Sequence, residues 1–324
     1  MYNQTEAILS QYEIEIQDVT KGRGAFICNT DKGQLLLVPF RGSKEKGLLL
    51  HQFLASLQEK SFFVEQIILT RNKEAVAEDE NTGERFLLKS YVDGTEISTG
   101  TLEDMKEAVR ILAVYHNIAS DVELETILQQ RDTAITEKWQ RHYRELIKVR
   151  NYIRNRKKKS EFEQIYMKHF EHNRKAAEDS LHTLEQAALE YGHYVVCHGD
   201  FNQHNVLLSK GMYRIVHFEN FIFHWPMTDL ANFVRKMLEK NEWNEKIGRE
   251  LIGEYDRYRH MEAAEYRLLY GLLLFPEKFW KVTNHYMNSR KTWISEREVD
   301  KLKKVIEQEE KRLKFMENVF NFLQ

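Results

Sequence analysis

The sequence predicts an α+β fold of two lobes: a small β-rich N-terminal lobe over residues 1–93, and a larger helical C-terminal lobe over residues 94–324 that carries β-hairpins of its own. Three observations carry this prediction. Alternating apolar residues and turn residues crowd the chain before residue 94, helical periodicities dominate after it, and a second β-rich stretch interrupts the helices near residues 195–219. With only 3 Pro and 14 Gly in 324 residues, long helices are favoured over a turn-rich β fold.

Taken in order, residues 4–13 form a short leading helix. Glu13–Ile16 and Phe26–Cys28 alternate like strands around Thr20-Lys21-Gly22-Arg23-Gly24, and Asp31-Lys32-Gly33 turns the chain into Leu35–Phe40, which completes a β-meander. A helical period runs from Leu48 to Leu57. A strand at Glu65–Leu69 follows, then a polar turn at Asp79–Gly83 and a strand at Arg85–Lys89. Tyr91-Val92-Asp93-Gly94 has turn chemistry and is the expected hinge. Met105, Val109, Leu112, Ala113 and His116 then form the apolar stripe of an amphipathic helix over 102–117. Residues 130–191 continue as two charged helical segments, broken at the basic run Arg154–Lys159, and helices return from Thr228 to Gln324 with Asp229 as a starting cap.

Composition excludes several classes of function. Lys and Arg total 48 against 50 Asp and Glu, a formal net charge of -2, so no global field draws the chain to nucleic acid or an anionic membrane. A run of about 20 apolar residues, which a membrane span needs, occurs nowhere, and the N-terminus lacks the basic and apolar parts of a leader. Synthesis and folding in the cytoplasm are expected. Cys28 and Cys197 have no metal-ligand spacing and sit among apolar neighbours, which reads as two buried free thiols.

The chemistry concentrates in His198-Gly199-Asp200-Phe201-Asn202-Gln203-His204-Asn205, between Val195-Val196 and Val206-Leu207-Leu208. An Asp and an Asn five residues apart between two strands resemble the catalytic loop of phosphotransferases. In that pattern the Asp accepts the proton of the attacking hydroxyl and the Asn holds magnesium. His-Gly in place of His-Arg resembles the aminoglycoside and choline kinase branch, whose acceptors are small molecules. The resemblance therefore implies a protein-kinase-like fold of the aminoglycoside phosphotransferase type, with Asp200 as the catalytic base and Asn205 as a metal and cofactor ligand.

Two departures count against ATP and magnesium, the cofactors this resemblance implies. Downstream, in Ile215-Val216-His217-Phe218-Glu219, His217 stands where the family has its metal-binding Asp, and an imidazole is a poor magnesium ligand. In Gln34–Phe40, Val38 aligns with the strand lysine that holds the nucleotide phosphates; Lys44 and Lys46 lie beyond the strand and are expected to face solvent. Glu219, two positions along a strand from His217, is expected to share its face and to substitute as a metal ligand. His217 itself reads either as a histidine satisfied by Asp200 or Glu219, or as part of a transition-metal site with His204 and Asp200. His198 is read as a structural hydrogen-bonding group. Arg23, in Gly22-Arg23-Gly24, and Leu88, on the strand leading to the hinge, complete the candidate cofactor-binding residues with Asn205, His217 and Glu219. The run Arg154–Lys159 reads as a solvated helix end or as a grip on an acidic partner.

Further along, Leu272-Leu273-Leu274-Phe275-Pro276-Glu277-Lys278-Phe279-Trp280 with Tyr286 and Trp293, the Leu88-Lys89-Ser90-Tyr91-Val92-Asp93-Gly94 hinge and Ser160-Glu161-Phe162 together resemble the CotS family of spore coat proteins. This resemblance spans nearly the whole chain. It implies a role in sporulation, a place in the spore coat, and coat proteins or coat glycan as partners. With His217 and Val38 counted, the expected function is that of a catalytically impaired pseudokinase that binds coat components. The alternative is an active ATP-dependent kinase acting on a hydroxyl of a small-molecule ligand or coat glycan.

Overall fold

An antiparallel sheet is built from the N-terminal strands β1 (Ile16–Lys21), β2 (Phe26–Thr30), β3 (Gly33–Phe40), β4 (Ile67–Ile68), β5 (Ala77–Glu78) and β6 (Arg85–Ser90). The computed structural model describes residues 2–22, 24–122, 134–289 and 296–323, so Arg23 and Trp293 lie outside the described residues. The strand order is β1-β2-β3-β6-β4, with β5 on β6. Leu35 to Val38 of β3 are all buried, the run expected of a central strand covered on both faces. On one face, Leu35, Leu37, Phe86 and Leu88 pack with Ile8 and Leu9 of the leading helix α1 (Tyr2–Leu9) and with Tyr12. The first strand departs from expectation. It runs over Ile16–Lys21, where a connection was expected, because five of its six residues are exposed and no apolar alternation marks it.

Helix α2 (Lys44–Glu59) begins four residues before its apolar stripe. Ser43 caps it by accepting from Lys46 N at 3.2 Å, while Leu49, Leu50, Phe53, Leu54 and Leu57 form its buried face. A second small sheet joins β7 (Thr95–Glu96) to the hairpin β9 (Val206–Ser209) and β10 (Met212–Ile215), in the order β10-β9-β7. Compact packing groups the described residues within 1–97, 114–122 and 198–222 as one unit and those within 98–113, 134–197 and 223–323 as another. The first unit thus holds both the N-terminal sheet and the loop with Asp200. Helix α3 (Leu102–Ser120) contributes residues to each.

The second unit is mainly helical: α4 (Ala134–Arg154), α5 (Glu161–Glu190), α6 (Met227–Lys240), α7 (Glu245–Tyr258), α8 (Ala263–Leu274), α9 (Glu277–Asn288) and α10 (Glu296–Val319), with the short strand β8 (Val195–Cys197) and all but the first residue of β11 (Ile222–His224). The Phe-Pro-Glu-Lys-Phe-Trp segment is spent on this architecture. Phe275 packs on Trp139 at 4.3 Å between ring centroids, Phe279 stacks on Tyr166, and Trp280 stacks on His142 while donating Nε1–H to Glu145 at 2.7 Å. Pro276 sits at the start of α9 and cannot continue α8. The buried carbonyls of Leu273 and Leu274, left without helix partners at the end of α8, accept from the Arg312 guanidinium at 3.2 and 2.7 Å.

Two further expectations change here. Pro226, not Asp229, holds the cap of α6, and Asp229 lies buried in its first turn, where a carboxylate complements the helix dipole. The basic run is partly structural. Ser160 and Glu163 form a capping box on α5, Arg156 pairs with the buried Glu163, and the Lys159 ammonium donates to Arg156 O at 3.1 Å. Lys157 and Lys158 stay exposed. Both cysteines are free and buried, as their neighbours predicted.

Candidate functional site

The loop after β8 is fixed by its own hydrogen bonds. Gly199 has φ +80°, and a Cβ there would meet Asn220 O at 1.9 Å, which is why this position takes glycine rather than a larger residue. His198 is structural, as expected: its Nε2 lies 2.9 Å from Val216 O, and Asp200 N donates to its Nδ1 at 3.2 Å. Asn202 accepts from His204 N at 2.9 Å and donates Nδ2–H to Asp200 O at 2.7 Å. Asn205 donates its own Nδ2–H to the same carbonyl at 2.9 Å, leaving Oδ1 as the remaining acceptor of its side chain.

Beside this loop lies a cleft of about 670 Å³, built entirely from residues of the first unit. Asp200, Asn205, His217 and Glu219 all line it, so four of the six candidate site residues are brought together. Arg23 falls outside the described residues, though its neighbours Gly24 and Ala25 line the cleft. Leu88 does not join them. Its side chain lies in the core with Tyr12, Leu35 and Leu37, because strand alternation turns Leu88 and Lys89 to opposite faces of β6. Val38 also lines the cleft, and β3 contains no lysine.

His217 and Glu219 meet by a different geometry from the one expected. The strand β10 ends at Ile215. His217 adopts the left-handed conformation, with φ 69° and ψ 55°, and Phe218–Asn220 form a single 3-10 turn. One buried carboxylate holds this turn. Glu65 Oε1 accepts from the backbone N–H of His217 at 2.9 Å and of Phe218 at 3.1 Å, and from the Lys89 ammonium at 2.9 Å. Lys89 also pairs with Glu219, and its Nζ lies 3.2 Å from His217 Nδ1. With the ammonium donating, Nδ1 accepts, which assigns the proton of a neutral His217 ring to Nε2.

Lys89 and Glu65 are almost wholly enclosed, at 1 % and 3 % side-chain exposure. Burial disfavours the ammonium, but Glu65 and Glu219 outweigh it and hold Lys89 above its usual range. Burial likewise pushes Glu219 up, yet the charge of Lys89 and the contact with His217 hold its carboxyl well below the usual carboxylate range. His217 is therefore satisfied by Lys89 rather than by Asp200, and its Nδ1 stays 3.9 Å from Glu219 Oε1. His204 is engaged elsewhere, with Nδ1 2.5 Å from Glu96 Oε2. Among the described residues, His217, His204 and Asp200 do not bring ligand atoms together for one ion.

Four residues of this site were not anticipated as members of it. Lys89 and Glu65 each looked like an ordinary strand-end charge, though a lysine directly after Phe86-Leu87-Leu88 and before a hinge was a signal that it must be buried and paired. Lys46 was expected in solvent, but it is half-buried, lines the cleft and lies over the Phe221 ring at 5.0 Å, because the Ser43 cap starts α2 early enough to turn it inward. Arg41 lines the cleft as well. As a magnesium site the set fits poorly. Asn205 offers a hard oxygen, but His217 offers nitrogen and Glu219 is already occupied by an ammonium.

Similarity to known proteins places the family and the fold. A family model described as "Spore coat putative kinase YutH" matches residues 5–319. Among curated proteins, the chain is similar to spore coat protein S of Bacillus subtilis (strain 168), 23% identical over 96% of this chain and 92% of that one. Among solved structures it resembles an aminoglycoside phosphotransferase from Alicyclobacillus acidocaldarius subsp. acidocaldarius DSM 446, with TM-score 0.84 and 19% identity over 98% of this chain and 96% of that one. It also resembles amicoumacin kinase hAmiN, solved with AMP-PNP, Ca2+ and Ami, with TM-score 0.67 and 13% identity over 96% and 92% of the two chains. The fold is thus of the aminoglycoside phosphotransferase, kinase-like type, with an N-terminal antiparallel sheet and a helical C-terminal region.

Proposed function

The chain belongs to the spore coat putative kinase YutH family, and from that premise we propose that it serves the coat as a pseudokinase, binding coat proteins or coat glycan with its phosphotransferase chemistry impaired. One observation carries the reading. The ammonium of Lys89 is inserted among Glu219, Glu65 and His217, so the acid that could take over from the missing metal carboxylate is already paired. Phosphoryl transfer depends on positioning and on charge placed around the phosphates, so losing a metal carboxylate and the strand lysine together costs orders of magnitude in rate. Among the described residues no helix is long and apolar enough to cross a membrane, and attachment to the coat would therefore rest on protein or glycan contacts.

A second reading is favoured by a separate observation: Asp200 and Asn205 line one cleft, tied through the Asp200 carbonyl. In an active small-molecule or glycan kinase Asp200 would act as base toward the acceptor hydroxyl. Release of ADP from ATP, measured with purified protein in magnesium or manganese and with candidate acceptors, separates the two. The pseudokinase reading expects no release above background. Release that disappears in Asp200→Asn, a nearly isosteric change, would establish the kinase instead.

A further inference from the structure

We propose that the solvent face of α4 is a docking surface for a short acidic segment, rich in Asp and Glu, of another protein. It belongs wholly to the helical unit, so its role goes beyond the reading of the cleft and stands whether or not Asp200 acts as a base. Leu146, Val149 and Ile153 turn one face of α4 into the core of that unit, and Arg141, Arg144 and Lys148, three and four residues apart, share the opposite face. Lys138 and Arg154 carry the same sign toward its two ends, and all five are exposed. Glu137, in the first turn, is the one exposed acid of α4, since Glu145 is half-buried and accepts from the Trp280 indole at 2.7 Å.

What sets this row apart from the other charged helices of the unit is how little opposes it. On α5 and α10 exposed cations are matched: Lys175 with Asp179, Lys301 with Glu298 and Lys311 with Glu242. None of the five α4 cations has an ion pair among the described residues. Like charges three and four residues apart lower the stability of a helix, so folding gains nothing from this row, whereas an opposing acidic surface would turn the repulsion into attraction. Lys157 and Lys158, exposed just past the helix, extend it. From Lys138 to Arg154 the row runs about 24 Å at about 1.5 Å per residue, the length of an extended segment of about seven residues. Guanidinium forks suit carboxylates in particular. Length also favours a protein segment over nucleic acid. The formal net charge is -2, so the chain outside this row is net negative; a long polyanion overruns the cations onto a repelling surface, and a short acidic segment ends where they end.

Fluorescence anisotropy of a labelled peptide of about eight glutamates, titrated with the full chain and compared with a DNA duplex of about 20 base pairs, tests this. The peptide is expected to bind, with affinity that falls as salt is raised. Arg141→Gln, Arg144→Gln and Lys148→Gln together are expected to weaken that binding roughly tenfold or more, with thermal unfolding unchanged because all three side chains are exposed. Lys175→Gln, Lys301→Gln and Lys311→Gln together remove the same charge from matched cations of α5 and α10, and are expected to change the affinity by less than about threefold. Failure of the peptide to bind, or equal losses in the two triple variants, overturns the proposal. Tighter binding of the duplex than of the peptide at the same salt overturns it in favour of nucleic acid.

Discussion

Both units bury charge, and they use it differently. In the second unit, Arg312 forks onto Glu309 at 3.0 and 2.6 Å and closes the carbonyl end of α8, beside a void of about 30 Å³. In the first, Lys89 joins Glu65 and Glu219 at the edge of a cleft more than ten times that volume. A buried ion pair is therefore not by itself the mark of a site. What marks Lys89 is that two of its partners, Glu219 and His217, line the large cleft, while the third, Glu65, holds the backbone turn carrying His217.

The widest test of this contrast replaces each cation in turn. Lys89→Met and Arg312→Met each strand a buried carboxylate, and each is expected to lower the unfolding free energy by about 3–5 kcal/mol in urea titrations. Their response to metal should then diverge. Lys89→Met frees two carboxylates and an imidazole around one point, so manganese or zinc is expected to raise its melting temperature, while Arg312→Met gains nothing. Equal responses would erase the distinction between the two pairs.

A smaller effect is expected from rebuilding the absent groups. His217→Asp supplies a hard ligand and Val38→Lys a strand cation, and both positions line the cleft. The double variant is expected to bind nucleotide with a magnesium dependence that exceeds the sum of the single variants by roughly 1–2 kcal/mol, because both groups would act on one triphosphate. An additive result in calorimetry would place Val38 outside reach of the phosphates.

The parts of this molecule that were legible in sequence are those in which local pattern and chemistry coincide. The central strands β3 and β6, the stripe of α3 and the Asp200–Asn205 loop all announce themselves through apolar period or turn residues. The cleft's charges do not. Lys89 and Glu65 stand 24 positions apart, and Glu219 is 130 positions from Lys89, so nothing local reports that they meet. The left-handed turn at His217 escaped for a related reason. Arg214-Ile215-Val216-His217-Phe218-Glu219 has strand composition throughout, yet its last four residues leave the strand, and the distant Glu65 carboxylate accepts the backbone N–H groups of His217 and Phe218 there.

The two units should also separate under acid. Burial holds His142 and His224 of the helical unit down to about 4, against an ordinary 6.5. Their neutral forms belong to the folded state, so the unfolded chain binds more protons between these values, and stability is full above about pH 6.5 and lost as pH falls toward 4. Glu219, held below the carboxylate range by Lys89, keeps its contribution through that window and loses it only at lower pH. His142→Phe keeps a ring against Trp280 and removes the titration; the fall in stability between pH 6.5 and 4 is expected to shrink by on the order of 1 kcal/mol. Glu219→Gln should leave that slope unchanged. A slope that follows Glu219 instead would mean that the cleft, not the helical unit, is the acid-sensitive region.

The smallest effect on stability, and the sharpest on partnership, is expected at the basic run. Lys157 and Lys158 are exposed and outside the capping box, so Lys157→Glu with Lys158→Glu should shift unfolding by less than about 0.5 kcal/mol. Arg156→Glu is the control, since it places a like charge against the buried Glu163 and should destabilise measurably. If the helical unit carries the contact to an acidic coat component, the double reversal turns attraction into repulsion, and recovery of that component in pull-downs falls while Asp200→Asn leaves it intact. Complementing a deletion strain with the same variants places the two units in opposition. Normal coat assembly with the lysine reversal, together with failed assembly by a folded Asp200→Asn protein, would move the biological role from the helical surface to the cleft and replace the pseudokinase with a working kinase.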